Sequence, residues 1–198
     1  MREKKVPEKI SADRIVLFLT KEAYKAAEEA EEMKNPAKNG GLDFLAKLDT
    51  VNYYFAAALA IAKKFSIGKS TASFLVVDYT SKFAKADFFV GSHLPPPKAI
   101  LEFAKLGAPN SVTELLLKEL VKKGQLRDSL DAARLLGRDL REDEVLSLVK
   151  NYADGAVDAN ETEERLMELA KKCLSADGFK KAEKMIRDHK HRSDCDLY

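Results

Sequence analysis

The chain has 198 residues, 45% of them hydrophobic, with 34 Lys+Arg against 32 Asp+Glu. That is enough apolar material for one domain or two small ones, and it excludes a wholly disordered chain. A net charge of +2 excludes a strongly basic nucleic-acid tail and a polyacidic segment.

Residues 1–10 read as a flexible arm. The run Met1-Arg2-Glu3-Lys4-Lys5-Val6-Pro7 is charged, and no apolar core of signal-peptide type follows it. Ile15, Leu19, Ala23, Ala26, Ala27 and Ala30 recur at three- and four-residue spacing, which predicts a helix from about Ala12 to Met33. Asn35-Pro36 and Asn39-Gly40-Gly41 end it. A second helix is expected from about Leu42 to Phe65. Its middle, from Tyr53 to Ala62, is apolar nearly all round, and no Asp or Glu occurs between Asp49 and Asp78. Both features point to a buried core helix. The apolar run of about 12 residues is too short for a membrane span, which needs about 20. Ser70 to Val90 reads as a helix in spite of Phe74-Leu75-Val76-Val77, because the chain offers no second strand for pairing.

Gly91-Ser92-His93-Leu94-Pro95-Pro96-Pro97 is the sharpest break, since consecutive prolines hold an extended backbone. Beyond it, helices are expected near 98–106, 111–123, 128–136, 142–153, 161–173 and 177–188. Three cap-plus-Glu spacings support these limits: Ser111 with Glu114, Asp139 with Glu142, and Asn160 with Glu163. Gly107, Gly124, Gly137 and Gly155 fall where helices should stop. The expected organisation is a flexible arm at 1–10, an N-terminal helical part at 11–91, a Pro-rich break at 92–97, a C-terminal helical-hairpin part at 98–190 and a mobile tail at 191–198. The expected fold class is all-α, with about nine helices in a helical-hairpin array or two abutting bundles.

Residues 117–139 can be laid over 166–188: Leu117-Lys118-Glu119-Leu120 matches Leu166-Met167-Glu168-Leu169, and Arg138-Asp139 matches Arg187-Asp188. The shift of 49 residues crosses three expected helices, so a repeat would need a three-helix unit, or one fewer helix there. The rhythm of 98–190, carried mostly by Gly124 to Arg138, resembles the α-solenoid superfamily of tetratricopeptide, pentatricopeptide and HEAT-type arrays. It lacks the aromatic residues and closing proline of the tetratricopeptide pattern. The resemblance implies a binding scaffold and no catalytic residue.

Signals for chemistry are sparse. Gly68-Lys69-Ser70-Thr71 resembles the end of a phosphate-binding loop, but the earlier glycine that pattern needs is replaced by Lys63. A helix turn at Gly68 capped by Ser70 explains the segment better. His189, His191, Asp194, Cys195 and Asp196 include metal-ligand types without the paired spacing of a structural zinc site. A solvated terminus is the expectation. Asn52 to Ala58 resembles a core helix of the small helical HEPN ribonucleases. That family's Arg–His spacing is absent, because Arg187 is followed by three residues and then His191, and His93 has no Arg at the required distance. His93 reads as a loop residue, and Cys173 and Cys195 as reduced thiols. Glu142, Asp143 and Glu144 sit where a helix dipole favours negative charge.

Charge divides weakly along the chain: residues 1–100 carry 16 Lys+Arg against 12 Asp+Glu, and residues 101–198 carry 18 against 20. Lys63, Lys64 and Lys69 lie in the acid-free stretch, and Lys180, Lys181 and Lys184 in the last helix, as small basic patches. The functional expectation is a non-catalytic, cytoplasmic protein-interaction or scaffold module. It would accept a partner helix or peptide in a helical groove, with no catalytic, metal or cofactor residue, no nucleotide and no membrane. An RNA-binding helical array is the second expectation, and an enzyme with an unrecognised site the third.

Overall fold

The computed structural model describes residues 11–33, 41–85, 94–154 and 160–195. The protein is all-α, with nine helices and no strand among the described residues. They are α1 (Ala12–Glu32), α2 (Gly41–Phe65), α3 (Lys69–Lys85), α4 (Pro97–Lys105), α5 (Asn110–Lys122), α6 (Leu126–Leu135), α7 (Glu142–Ala153), α8 (Asn160–Cys173) and α9 (Ala176–Cys195). The segment that carries Phe74-Leu75-Val76-Val77 is helical. Its buried residues, Ala72, Leu75, Val76, Tyr79 and Phe83, fall at helical spacing. The last helix runs to Cys195, beyond its expected end near 188. His93 and Gly155 lie outside the described residues.

Contacts divide the chain into two compact units. The first takes residues 1–75 and 90–108, and the second 76–89 and 109–198, so the division falls within α3. In the first unit α2 packs along α1 and meets α4. Alanines at Ala23, Ala26, Ala27, Ala30, Ala58 and Ala62 are all buried and let α1 and α2 approach closely. Tyr24 of α1 stands edge-on to Phe55 of α2 with ring centroids 5.8 Å apart, and Phe55 stands edge-on to Phe103 of α4 at 6.0 Å. An ion pair between Lys47 and Glu29 adds a link at the far end of the hairpin.

The expected all-round burial of α2 is not found. Val51, Phe55, Ala58 and Ala62 are buried, whereas Asn52, Tyr53, Ala56 and Ala60 are exposed. The helix is covered along one side, and alanine on the other side is cheap to leave in water because it has little apolar surface.

In the second unit α5 pairs with α6 and α8 with α9, and α7 packs against α5, α8 and α9. Leu116, Leu117 and Leu120 of α5 and Val145, Leu148 and Val149 of α7 are buried, at the spacing of one helical face. Glycine stops act here as expected. After α5, Gly124 turns left-handed at φ +68°. Its N–H bonds Val121 O at 3.0 Å, and the Gln125 N–H reaches back to Leu120 O at 2.9 Å. Gly137 repeats this after α6 at φ +71°, with the Arg138 N–H on Ala133 O at 3.1 Å. Both helices therefore end in the same two-bond motif, which satisfies their last carbonyls.

Candidate functional site

The second stop aims a side chain. Because Gly137 turns the chain sharply, Arg138 leaves the end of α6 directed toward α5 and α7. Its Nε and Nη2 bond the two carboxylate oxygens of Glu114 on α5 at 3.0 and 2.9 Å. Its Nη1 and Nη2 bond those of Glu144 on α7 at 2.9 and 2.8 Å. The remaining donor goes from Nη1 to the Asp139 carbonyl at 2.9 Å. All the N–H groups of the guanidinium are thus used.

Glu144 is the buried member, with its side chain 8% exposed against 24% for Arg138. It also accepts from the Arg141 backbone N–H and from Arg141 Nη2, both at 2.8 Å. Burial alone would push its carboxyl up. The hydrogen bonds from Arg138 and Arg141 outweigh that and hold it at about 2. Glu144 and Glu114 in turn keep Arg138 charged.

Two expected caps are corrected here. Ser111 does not cap α5, which starts after Pro109 without a side-chain cap, and Glu114 is taken by Arg138. Asp139 does not cap α7 either. Its carboxylate pairs with Lys172 at 3.0 Å, while Glu142 accepts from the Ser175 hydroxyl at 2.6 Å at the head of α9. Glu163 receives the Tyr152 hydroxyl at 3.1 Å, and the expected cap at Asn160 lies outside the described side chains.

Beside the arginine cluster, α5 and α7 border a groove of about 540 Å³ with mostly apolar walls. Leu115, 54% exposed, and Val121 supply apolar surface, and Ser147 a hydroxyl. Lys118 and Lys122 line it from α5 and Arg141 from the head of α7. Of the two acids tied to Arg138, each also has an oxygen on Arg141. The groove therefore presents apolar walls, a lysine-bearing rim, two carboxylates whose charge is already met from within, Glu114 and Glu144, and one exposed carboxylate, Asp143, 4.0 Å from Arg141 Nε.

The other expected positions come out as follows. At Gly68-Lys69-Ser70-Thr71 the start of α3 is capped by a carboxylate, and Ser70 does not serve. Asp13 of α1 bonds the Thr71 side chain and accepts the Gly68 N–H at 2.9 Å, and both bonds lower its pKa. The Gly68 N–H, just ahead of α3, is thus already taken by a carboxylate. His189 is half-buried: its ring lies 5.1 Å from that of Tyr152, and Nδ1 is 3.0 Å from the Ala153 carbonyl. The side chains of His191, Asp194, Cys195 and Asp196 lie outside the description, and the described residues contain no cluster of metal-ligand type. Cys173 is half-buried, and burial pushes its thiol up, away from reactivity. Lys63 pairs with Glu102 at 2.6 Å, Lys64 lies over the Phe65 ring at 5.4 Å, and the stem of Lys69 lies against Gly107. No described helix is long and apolar enough to cross a membrane.

Sequence reasoning missed the Arg138 cluster. The available signal was an Arg directly after a helix-stopping Gly, but its partners lie 24 residues before and 6 after, and no local spacing links them. No protein-family model, no curated protein and no solved structure matches the chain.

Proposed function

We propose that the protein is a non-catalytic cytoplasmic interaction module whose α5–α7 groove accepts a short amphipathic helix of a partner protein. The observation that carries this reading is the pairing of exposed Leu115 with mostly apolar groove walls, next to ionic groups that satisfy one another. An apolar anchor residue of the partner would cover Leu115, and an acidic residue flanking that anchor would meet Lys118. Arg138 would serve as a brace that fixes the spacing of the groove walls, with no donor left for a ligand. RNA binding draws less support, because Lys63 is neutralised by Glu102.

The test is selection of helical peptides from a displayed library against the protein, followed by titration with wild type and Leu115→Glu. Selected peptides should share apolar residues at three- and four-residue spacing and lose at least about tenfold in affinity on the variant, the range of a buried apolar anchor. Peptides that bind both forms equally would overturn the assignment of the groove. Failure to select any peptide, together with steeply salt-dependent binding of single-stranded RNA, would transfer the reading to nucleic acid.

A further inference from the structure

We infer that the open face of α2 is a self-association surface, on which a second copy of this chain lays its own α2 antiparallel. The face carries Leu45, Asp49, Tyr53, Ala56, Ala60 and Lys64, all exposed. Tyr53 is 71% exposed and Leu45 55%. The opposite side of the helix is committed to α1 and α4.

The choice of a second copy rests on the order of charge along this face. Asp49 stands toward its N-terminal end, Lys64 and the exposed Lys63, which pairs with Glu102, stand at its C-terminal end, and the residues between Asp49 and Lys63 on this face are uncharged. Neither Asp49 nor Lys64 has an ion pair among the described residues. A two-fold axis passing between Ala56 and Ala57 brings Asp49 level with Lys64 of the second copy, and Lys64 level with its Asp49. The same axis sets each Tyr53 level with the other copy's Ala60, where a small side chain leaves room for the ring.

The sides agree as well as the levels. Successive residues turn about 100° on a helix, so Asp49, Tyr53, Ala60 and Lys64 all lie within about 80° of Ala56 and on the same side of it. An antiparallel two-fold preserves that side, so the four residues meet their counterparts rather than passing them. A parallel pairing would instead set Asp49 against Asp49 and Lys64 against Lys64, which like charges disfavour. From Asp49 to Lys64 the contact runs about 22 Å. One helix face of that length buries less than the about 800 Å² per partner of a standard interface, so the dimer is a weak one.

The experiment is sedimentation velocity on the full chain, from micromolar to millimolar concentration at low salt. It would use wild type, Asp49→Lys, Lys64→Asp and an equimolar mixture of the two variants. Wild type should shift from monomer toward dimer as concentration rises. Each single reversal faces like charges twice across the axis and should raise the dissociation constant about tenfold or more. The mixture should recover the dimer. There the lysine introduced at position 49 of one copy meets the aspartate introduced at position 64 of the other, and the unaltered Lys64 and Asp49 meet as in wild type. Circular dichroism confirms that each variant is folded. A wild type that stays monomeric at millimolar concentration overturns the inference, as does a dimer that ignores the reversals or a mixture no more associated than its components.

Discussion

In the first unit Phe103 of α4 stands against Phe55 of α2, which stands against Tyr24 of α1. In the second, Arg138 joins Glu114 of α5 to Glu144 of α7. Both arrangements tie three chain segments through one central side chain. The aromatic relay works by burying area and needs little of solvent conditions. The arginine brace works by matched charge, and most of its worth lies in what its removal leaves behind. A module that needs a groove of fixed width gains from the second kind, because bidentate bonds set distance and angle together. A hairpin that only has to stay closed can use the first.

The comparison can be broken most forcefully at a buried partner of each central side chain. Phe103→Ala removes a wholly buried ring and should cost about 3–5 kcal/mol, read by urea denaturation at neutral pH. Glu144→Ala leaves Arg138 half-paired in a mostly buried place and should cost about 3 kcal/mol. If Glu144→Ala proves nearly neutral, the brace is not a structural tie.

Acid should separate the brace from exposed pairs. Glu144 has its pKa lowered from the usual 4.5 to about 2. The stability it contributes is therefore fully present above about pH 4.5 and is lost as pH falls toward 2. Glu102 is also held at about 2, by hydrogen bonds from Lys105 and then Lys63, but both lysines are largely exposed. Denaturation curves from pH 5 to 2 should flatten for Glu144→Gln in low and high salt alike. For Glu102→Gln the flattening should fade as salt screens the wild-type pair.

Smaller effects sharpen the account of how each segment is aimed. Asp13→Ala removes a cap supplied to α3 from another helix and should cost about 1 kcal/mol, as a lost N-cap does. The loss should appear as faster amide exchange at Gly68 and its neighbours. Gly137→Ala meets no atom within 4 Å, so its cost is left-handed backbone alone, about 1 kcal/mol. Because that turn launches Arg138, Gly137→Ala should also weaken any peptide selected for the α5–α7 groove, whereas Asp13→Ala should leave that affinity unchanged.

The sequence by itself determined the all-α class, about nine helices and, within a few residues, most of the ends of those among the described residues. Those are local properties: apolar spacing reports a helical face, and a glycine after it reports a stop. It also determined that Gly68-Lys69-Ser70-Thr71 lacks the glycines of a phosphate loop. Only tertiary structure decided which charges find one another. Glu114 looked like a cap partner of Ser111 and became a ligand of Arg138, and Gly68 is capped by a carboxylate 55 residues earlier in the chain. Only tertiary structure decided, too, that α2 leaves one face open, because its uncharged middle reads the same in sequence whether neighbours cover all of it or half. Charge pairing and burial depend on distances through space, and spacing along the chain carries them only within a turn or two of helix.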